Sequence, residues 1–250
     1  MQSSEQLFAK SLAEIGQHIQ NKDISASELV KSLLERIHRE DKKLNAFITI
    51  NEDALRTAKD IDKEIIAGKY KGPLHGIPIG VKDIINTKNM KTTMGSKIFD
   101  NYVPTTDATV IQRLRQAGAI IIGKLNTHQM AYGPTGDRSY YGAVKNPHDL
   151  TKMSGGSSSG SGAAVAACLC YGALGTDTGG SIRIPASFCG IVGMKPTYGT
   201  VSKRGSYPLA WSLDHIGPMT RSIQDNAILM NAIQGYDDED PDAIYRERED

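Results

Sequence analysis

Apolar positions in the first 70 residues recur at helical intervals. Leu29, Val30, Leu33, Leu34 and Ile37 form one stripe, and charged residues between Glu35 and Lys43 occupy the rest of the surface. Ser25 and Glu28 stand at S-x-x-E spacing before that stripe, which predicts a capping box. Residues 46–50 (AFITI) predict a short strand, and 51–66 return to helical spacing, with Gly68 placed to end the helix. The texture changes at Gly72. From there to Pro218, β-branched runs alternate with stretches of Gly, Ser and Thr. Residues 77–85 (IPIGVKDII) read as a buried strand, 108–117 as a helix and 119–123 as a strand. Residues 160–170 predict a helix of small residues, 173–176 a strand, 182–188 a short helix and 191–194 a further strand. Alternating strands and helices predict an α/β fold on a parallel or mixed sheet. The organisation expected is a helical segment over 1–70 packed on a core over 71–236. Residues 237–250 (DDEDPDAIYRERED) follow as an acidic surface loop, a frayed tail or an interrupted continuation of the core.

Composition narrows the function. A chain of 250 residues buries roughly 70–75% of the surface its unfolded form exposes, enough for a real core. Lys and Arg number 29 against 28 Asp and Glu. That balance leaves no positive excess to neutralise phosphates, so a basic nucleic-acid module is excluded. With apolar residues at 39%, global disorder is excluded too. No stretch approaches the ~20 apolar residues of a membrane span, and residues 1–16 lack the basic-then-apolar pattern of a secretory signal. Cys168, Cys170 and Cys189 form neither a disulfide framework nor a zinc-ligand spacing. They are expected to be small buried hydrophobes in a reducing cytoplasm.

The densest chemical signal lies between Ser154 and Pro196, in SGGSSSGSG (154–162) and GTDTGGSIRIP (175–185). Neither glycine run is followed by the lysine of a phosphate loop, and no strand precedes Gly160 as a dinucleotide fingerprint requires. Gly156-Ser157-Ser158-Ser159-Gly160 satisfies G-x-S-x-G, which would make Ser158 the nucleophile of a serine esterase. That elbow must follow a hydrophobic strand, and residues 149–154 (DLTKMS) make a poor one. Thr178-Gly179-Gly180-Ser181 is more suggestive, because two glycines permit a nest of amides that binds an anion or oxyanion. Ser181 opens the short helix, whose dipole adds to the effect, and a serine there can attack a carbonyl. Such a nucleophile needs a base. His18, His38, His75, His128, His148 and His215 all lie away from both motifs in sequence. Lys82 sits inside an apolar strand pattern. Burial would make it a neutral base; otherwise it is a strand-end lysine paired with Asp83 or another carboxylate.

Lys82 in GVKD, GGSS at 155–158 and GTDTGGSIRIPASFCGIVGMKPTYG at 175–199 resemble the amidase signature family. Ser157 and Ser181 lie 24 positions apart, as in that family, and the likeness runs from about Ser25 to Tyr236. The resemblance implies an amidase-signature fold, with a mixed β-sheet core covered by helices. That core is incomplete at its C-terminal side, because members are about twice as long. It implies a hydrolase of linear, non-peptide amide C–N bonds, with Ser181 as nucleophile, Ser157 as bridging serine after a cis Gly156–Ser157 peptide, and Lys82 as ultimate base. An acyl-enzyme forms, ammonia or an amine leaves, and water completes hydrolysis. The amides of Thr178, Gly179, Gly180 and Ser181 hold the oxyanion. Asp177 and Arg183 support the site, and Ser158, Ser159 and Ser161 shape the loop and cap the helix. Residues 132–137 (YGPTGD) and 208–215 (PLAWSLDH) look like stand-alone amidases. The alternatives are the glutaminase component of glutamyl-tRNA(Gln) amidotransferase, its A subunit, releasing ammonia from glutamine for partner subunits, and an inactive fragment awaiting a missing C-terminal half. Ser159 and Gln129 depart from the commoner glycine and glutamate. The resemblance implies no metal, no organic cofactor, no direct nucleic-acid or membrane contact, and a small amide as substrate.

Overall fold

The N-terminal helices are cut by their caps. A computed structural model describes residues 4–246. Helices α1 (Ser4–Ala9), α2 (Leu12–Gln20) and α3 (Ala26–Leu44) lead into strand β1 (Phe47–Ile50) and helix α4 (Ala54–Ile66). Ser25 and Glu28 form the expected capping box, and Ser11 with Glu14 forms a second. Leu29, Val30, Leu33 and Ile37 are buried on one face of α3. Asn45 ends that helix in the left-handed region (φ 57°), where asparagine is tolerated.

Beyond Gly72 the chain builds a six-stranded mixed sheet. Its members are β2 (Pro78–Lys82), β3 (Ile120–Leu125), β6 (Gly172–Asp177), β7 (Val192–Gly193), β8 (His215–Thr220) and the earlier β1. The order is β1-β3-β2-β6-β8-β7. Strands β3, β2 and β6 run parallel, β1 and β8 run antiparallel to them on either side, and β7 pairs antiparallel with β8 at the far edge. Every residue of β2, β3 and β6 is buried. Sheets covered on both faces need such continuous runs rather than alternation. Helix α5 (Thr109–Gln116), α6 (Ser159–Ala166), α7 (Arg183–Cys189) and α8 (Ile223–Ile233) cover it. One hydrophobic cluster takes in Leu12, Leu29 and Ile37 from the N-terminal helices together with Ile79, Ile121 and Leu174 from the sheet.

Several boundaries differ from expectation for local reasons. Strand β2 stops at Lys82 because the amides of Ile84 and Ile85 turn back to the Lys82 carbonyl (2.8 and 3.1 Å). The small-residue helix ends at Ala166, four residues early, before Cys168 turns to φ 55°. Residues 149–153 do form a strand, β5 (Asp149–Met153), paired with β4 (Lys145–Asn146). That hairpin lies apart from the main sheet and β5 is exposed throughout. Strand β8 and helix α8 are not signalled by the hydrophobic pattern. The acidic segment after Gly235 is a loop as far as residue 246, but not a frayed one. Asp237 is buried and accepts the hydroxyls of Thr109 and Ser202, both at 2.6 Å. Asp240 is buried and accepts the Lys203 amide at 2.7 Å. Residues 247–250 lie outside the described residues.

Candidate active site

Parallel strands carry their functional loops at their C-terminal ends. Strands β2 and β6 are hydrogen-bonded neighbours running the same way, so Lys82, Thr176 and the loop after Asp177 meet at one edge of the sheet. Lys82 is fully buried. Its Nζ donates to Ser157 Oγ and to Thr176 Oγ1, each at 2.7 Å. Burial pushes its pKa from 10.5 down to about 7, against smaller upward pulls from Asp177 and Asp214. The alternative pairing of Lys82 with Asp83 is not made. Asp83 faces away and accepts the amide and hydroxyl of Thr93, at 2.8 and 2.5 Å.

Ser157 follows a cis peptide after Gly156. Its carbonyl is held by the His128 amide (3.1 Å) and the Thr127 hydroxyl (2.9 Å). Ser181 is half-buried, and its carbonyl accepts the Ser158 amide at 3.1 Å. That bond seats the Ser181 loop against the serine loop. The Ser181 hydroxyl makes no hydrogen bond among the described residues, so Lys82 and Ser157 are joined directly whereas Ser181 is tied to the serine loop through its carbonyl, with its hydroxyl free.

Asp177 organises the glycine loop. Its carboxylate accepts the amides of Gly180 (2.8 Å), Ile182 (3.1 Å) and Arg183 (3.3 Å), and both the Nε and an Nη of Arg183. Burial would raise its pKa, but the guanidinium and these amides outweigh burial and hold it below the usual range. The amides of Gly180 and Ile182 just before α7, and of Arg183 at its start, therefore serve Asp177, which takes the favourable end of the helix dipole. The Gly180 amide, one of the four expected at the oxyanion site, is thus engaged by Asp177. A Cβ on Gly179 would meet open space, so that amide sits at an accessible surface.

The remaining serines have structural partners. Ser158 is buried; its hydroxyl donates to the Thr176 carbonyl (3.2 Å) and accepts the Thr176 amide (3.1 Å). A nucleophile needs the opposite, an accessible hydroxyl beside a base. Ser158 occupies the N-cap of α6 without a side-chain cap bond. Ser159 and Ser161 donate instead to the Asn126 and Leu174 carbonyls (3.3 and 3.0 Å), so these hydroxyls pin the helix to its neighbours rather than cap it. Among the described residues, no histidine ring bonds either Ser157 or Ser181. The three cysteines are free, and burial pushes the thiols of Cys170 and Cys189 up to about 12.

Sequence reasoning missed Thr176, Asp214 and Lys124. Thr176 lies in the same GTDTGGS run, and only strand pairing brings it to Lys82. Asp214 accepts the Thr178 hydroxyl at 2.6 Å. Lys124 is a second fully buried lysine, on β3, and the apolar run before it was the available signal. It pairs in register with Val81, so it projects to the opposite face from Lys82. There it donates to Ile85 O and to the hydroxyls of Thr92 and Thr87, and lies 3.9 Å from Asp83. Burial lowers its pKa to about 8.

Comparison with known proteins shows the family. The family model described as Amidase matches residues 28–250. The chain belongs to the amidase family. It is 49% identical over 230 residues to the A subunit of the glutamyl-tRNA(Gln) amidotransferase of Bdellovibrio bacteriovorus, covering 92% of this chain and 47% of that protein. The solved peptide amidase of Stenotrophomonas maltophilia superposes with a TM-score of 0.92 at 39% identity, over 96% of this chain and 51% of that one. The solved A subunit of the Thermotoga maritima amidotransferase superposes with a TM-score of 0.83 at 38% identity, over 96% and 50%. The chain thus spans about half the length of these amidase relatives. Among the described residues, no helix is long and apolar enough to cross a membrane, and no cluster of His, Cys, Asp or Glu is arranged to hold a metal.

Proposed function

We propose that this chain carries the hydrolytic machinery of an amide hydrolase, with Ser181 as nucleophile, Ser157 as proton bridge and Lys82 as base. The observation that carries the reading is the buried Lys82 amine, 2.7 Å from Ser157 Oγ and with its pKa lowered to about 7. Half of such an amine is neutral near pH 7, and only the neutral form accepts a proton. Ser181 Oγ attacks the amide carbonyl carbon as its proton passes to Ser157 Oγ and that of Ser157 to Lys82 Nζ. The tetrahedral oxyanion is held by the amides of Gly179 and Ser181, with Thr178 beside them. Lys82 returns the proton through Ser157 to the leaving nitrogen, the C–N bond breaks, and ammonia or an amine departs. Water then attacks the acyl ester by the same relay, releasing the carboxylic acid. Hydrogen bonds of this kind tighten in the substrate complex, which accords with the free Ser181 hydroxyl. The three free cysteines favour a cytoplasmic setting.

The test is labelling with a fluorophosphonate probe, read by intact mass and peptide mapping. One adduct on Ser181 is expected, lost in Ser181→Ala, with a rate that rises with pH through about 7. A folded chain that takes no adduct, or labels at the same rate from pH 6 to 10, refutes the relay. A second reading is favoured by the 49% identity to an amidotransferase component. In it the amide is that of glutamine and the ammonia passes to partner subunits. Glutaminase activity appearing only with those subunits would select it over a stand-alone amidase.

A further inference from the structure

A strap of residues 207–214 crosses the site edge with its backbone fastened and the side chains of Leu209, Trp211 and Leu213 exposed. Asp214 accepts the amides of Leu209 (2.9 Å) and Ala210 (3.0 Å) and, from the glycine loop, the Thr178 hydroxyl (2.6 Å). The Trp211 carbonyl accepts Lys203 Nζ (2.5 Å) and the Tyr198 hydroxyl (3.0 Å), and Lys203 is itself held by Asp242 (2.9 Å). The Tyr207 amide bonds the Ile84 carbonyl at 2.8 Å, two residues beyond Lys82. Against this fixed backbone the Trp211 side chain is 70% exposed and stacks on no other ring among the described residues. Tyr207, Leu209 and Trp211 wall a cavity whose floor is Thr176 and Thr178, the first bonded to Lys82 and the second part of the glycine nest. The space it leaves is about 20 Å³, room for one water.

We infer that this strap is the specificity surface of the proposed amidase site, and that it takes the apolar part of a linear amide, an alkyl chain or an aromatic ring, against Trp211 and Leu209. The inference rests on Ser181, Ser157 and Lys82 acting as proposed. A fastened backbone spares the ordering cost of binding, so apolar contact is gained without first fixing a loop. Thr176 and Thr178 line the same cavity as Trp211 and Leu209, so a substrate carbonyl held in the nest would bring its neighbouring carbons into that cavity.

Trp211 is the chain's single tryptophan, so its emission reports this surface and nothing else. Ser181→Ala protein, which cannot turn substrate over, is titrated with hexanamide, benzamide and acetamide. A saturable change in emission is expected with the first two, with hexanamide binding roughly tenfold to a hundredfold tighter than acetamide through its additional methylenes. Leu209→Ser should weaken hexanamide binding about tenfold and leave acetamide unchanged. No saturable response to hexanamide or benzamide, or equal affinity for all three amides, overturns the inference. Fluorophosphonate labelling of the unmutated chain separates the two questions. Labelling without a tryptophan response leaves the hydrolytic reading and removes the strap; a response without labelling shows apolar amide binding at the strap but removes the hydrolytic reading and, with it, the strap's role as its specificity surface.

Discussion

Replacing Lys82 by Met tests the buried amine without requiring turnover. Among the described residues the lysine has no carboxylate within ion-pair distance, and it sits among hydroxyls at the end of β2. Its pKa falls from 10.5 to about 7 on folding, so at low pH the native state carries a buried ammonium that burial disfavours by about 5 kcal/mol. The sign follows from proton counting. Below pH 7 both states bind the proton and the penalty is full. Between 7 and 10.5 the unfolded chain binds a proton that the native state has released, so stability rises with pH by up to about 1.4 kcal/mol per pH unit. Above 10.5 both are neutral and the penalty is gone. Lys82→Met never incurs this penalty; it loses two hydrogen bonds, a pH-independent cost of about 1–3 kcal/mol each. Its stability relative to wild type should therefore fall by about 2–3 kcal/mol from pH 7.5 to 9.5. Lys124, also lowered to about 8, titrates in both proteins and cancels in the difference. Urea denaturation of the two at matched pH values reads the effect. Curves that stay parallel to within about 0.5 kcal/mol over that window would refute a lysine that is neutral in the folded state.

Two further outcomes concern the neighbours of the relay. Ser158→Ala should keep the fluorophosphonate adduct on Ser181 but lower stability by about 1–3 kcal/mol, because the Thr176 amide and carbonyl lose their buried partner; denaturation and mass labelling of one sample check both, and loss of the adduct with unchanged stability contradicts the structural role. Asp177→Asn should cost about 2–3 kcal/mol, chiefly through amides left facing an NH₂ group, since the Arg183 partner is half exposed and its share is screened. It should also slow labelling, and a melting temperature within a degree of wild type would show that the carboxylate does not organise the loop.

Local pattern makes much of the fold readable. Helix α3 is visible because a five-residue stripe and a capping box agree on the same start and face. Strands β2 and β3 are visible because strands buried on both faces need unbroken apolar runs. Strand β8 is hidden by Gly217 and Pro218 inside it, residues that ordinarily argue against a strand. The β5 hairpin is hidden because all the side chains of β5 are exposed and no apolar alternation marks it. The acidic segment misleads because charge reads as solvated. Asp237 and Asp240 are instead buried against hydroxyls and an amide contributed by residues 109, 202 and 203.

At the site the division falls in the same place. Residue order alone specifies the loops: two glycine-serine runs, their spacing, a lysine inside an apolar strand, and hence the amidase family. Long-range packing chooses which groups meet. It sets Thr176 beside Lys82 through a parallel strand pair and turns Asp83 to the other face, toward Lys124. It also gives the Gly180 amide to Asp177 rather than leaving it for an oxyanion. The reason is physical. Periodicity and turn chemistry act over a few residues and are written in their order. A pKa near 7 and the choice of a hydrogen-bond partner depend instead on the exclusion of water and on distances across strands nearly a hundred residues apart.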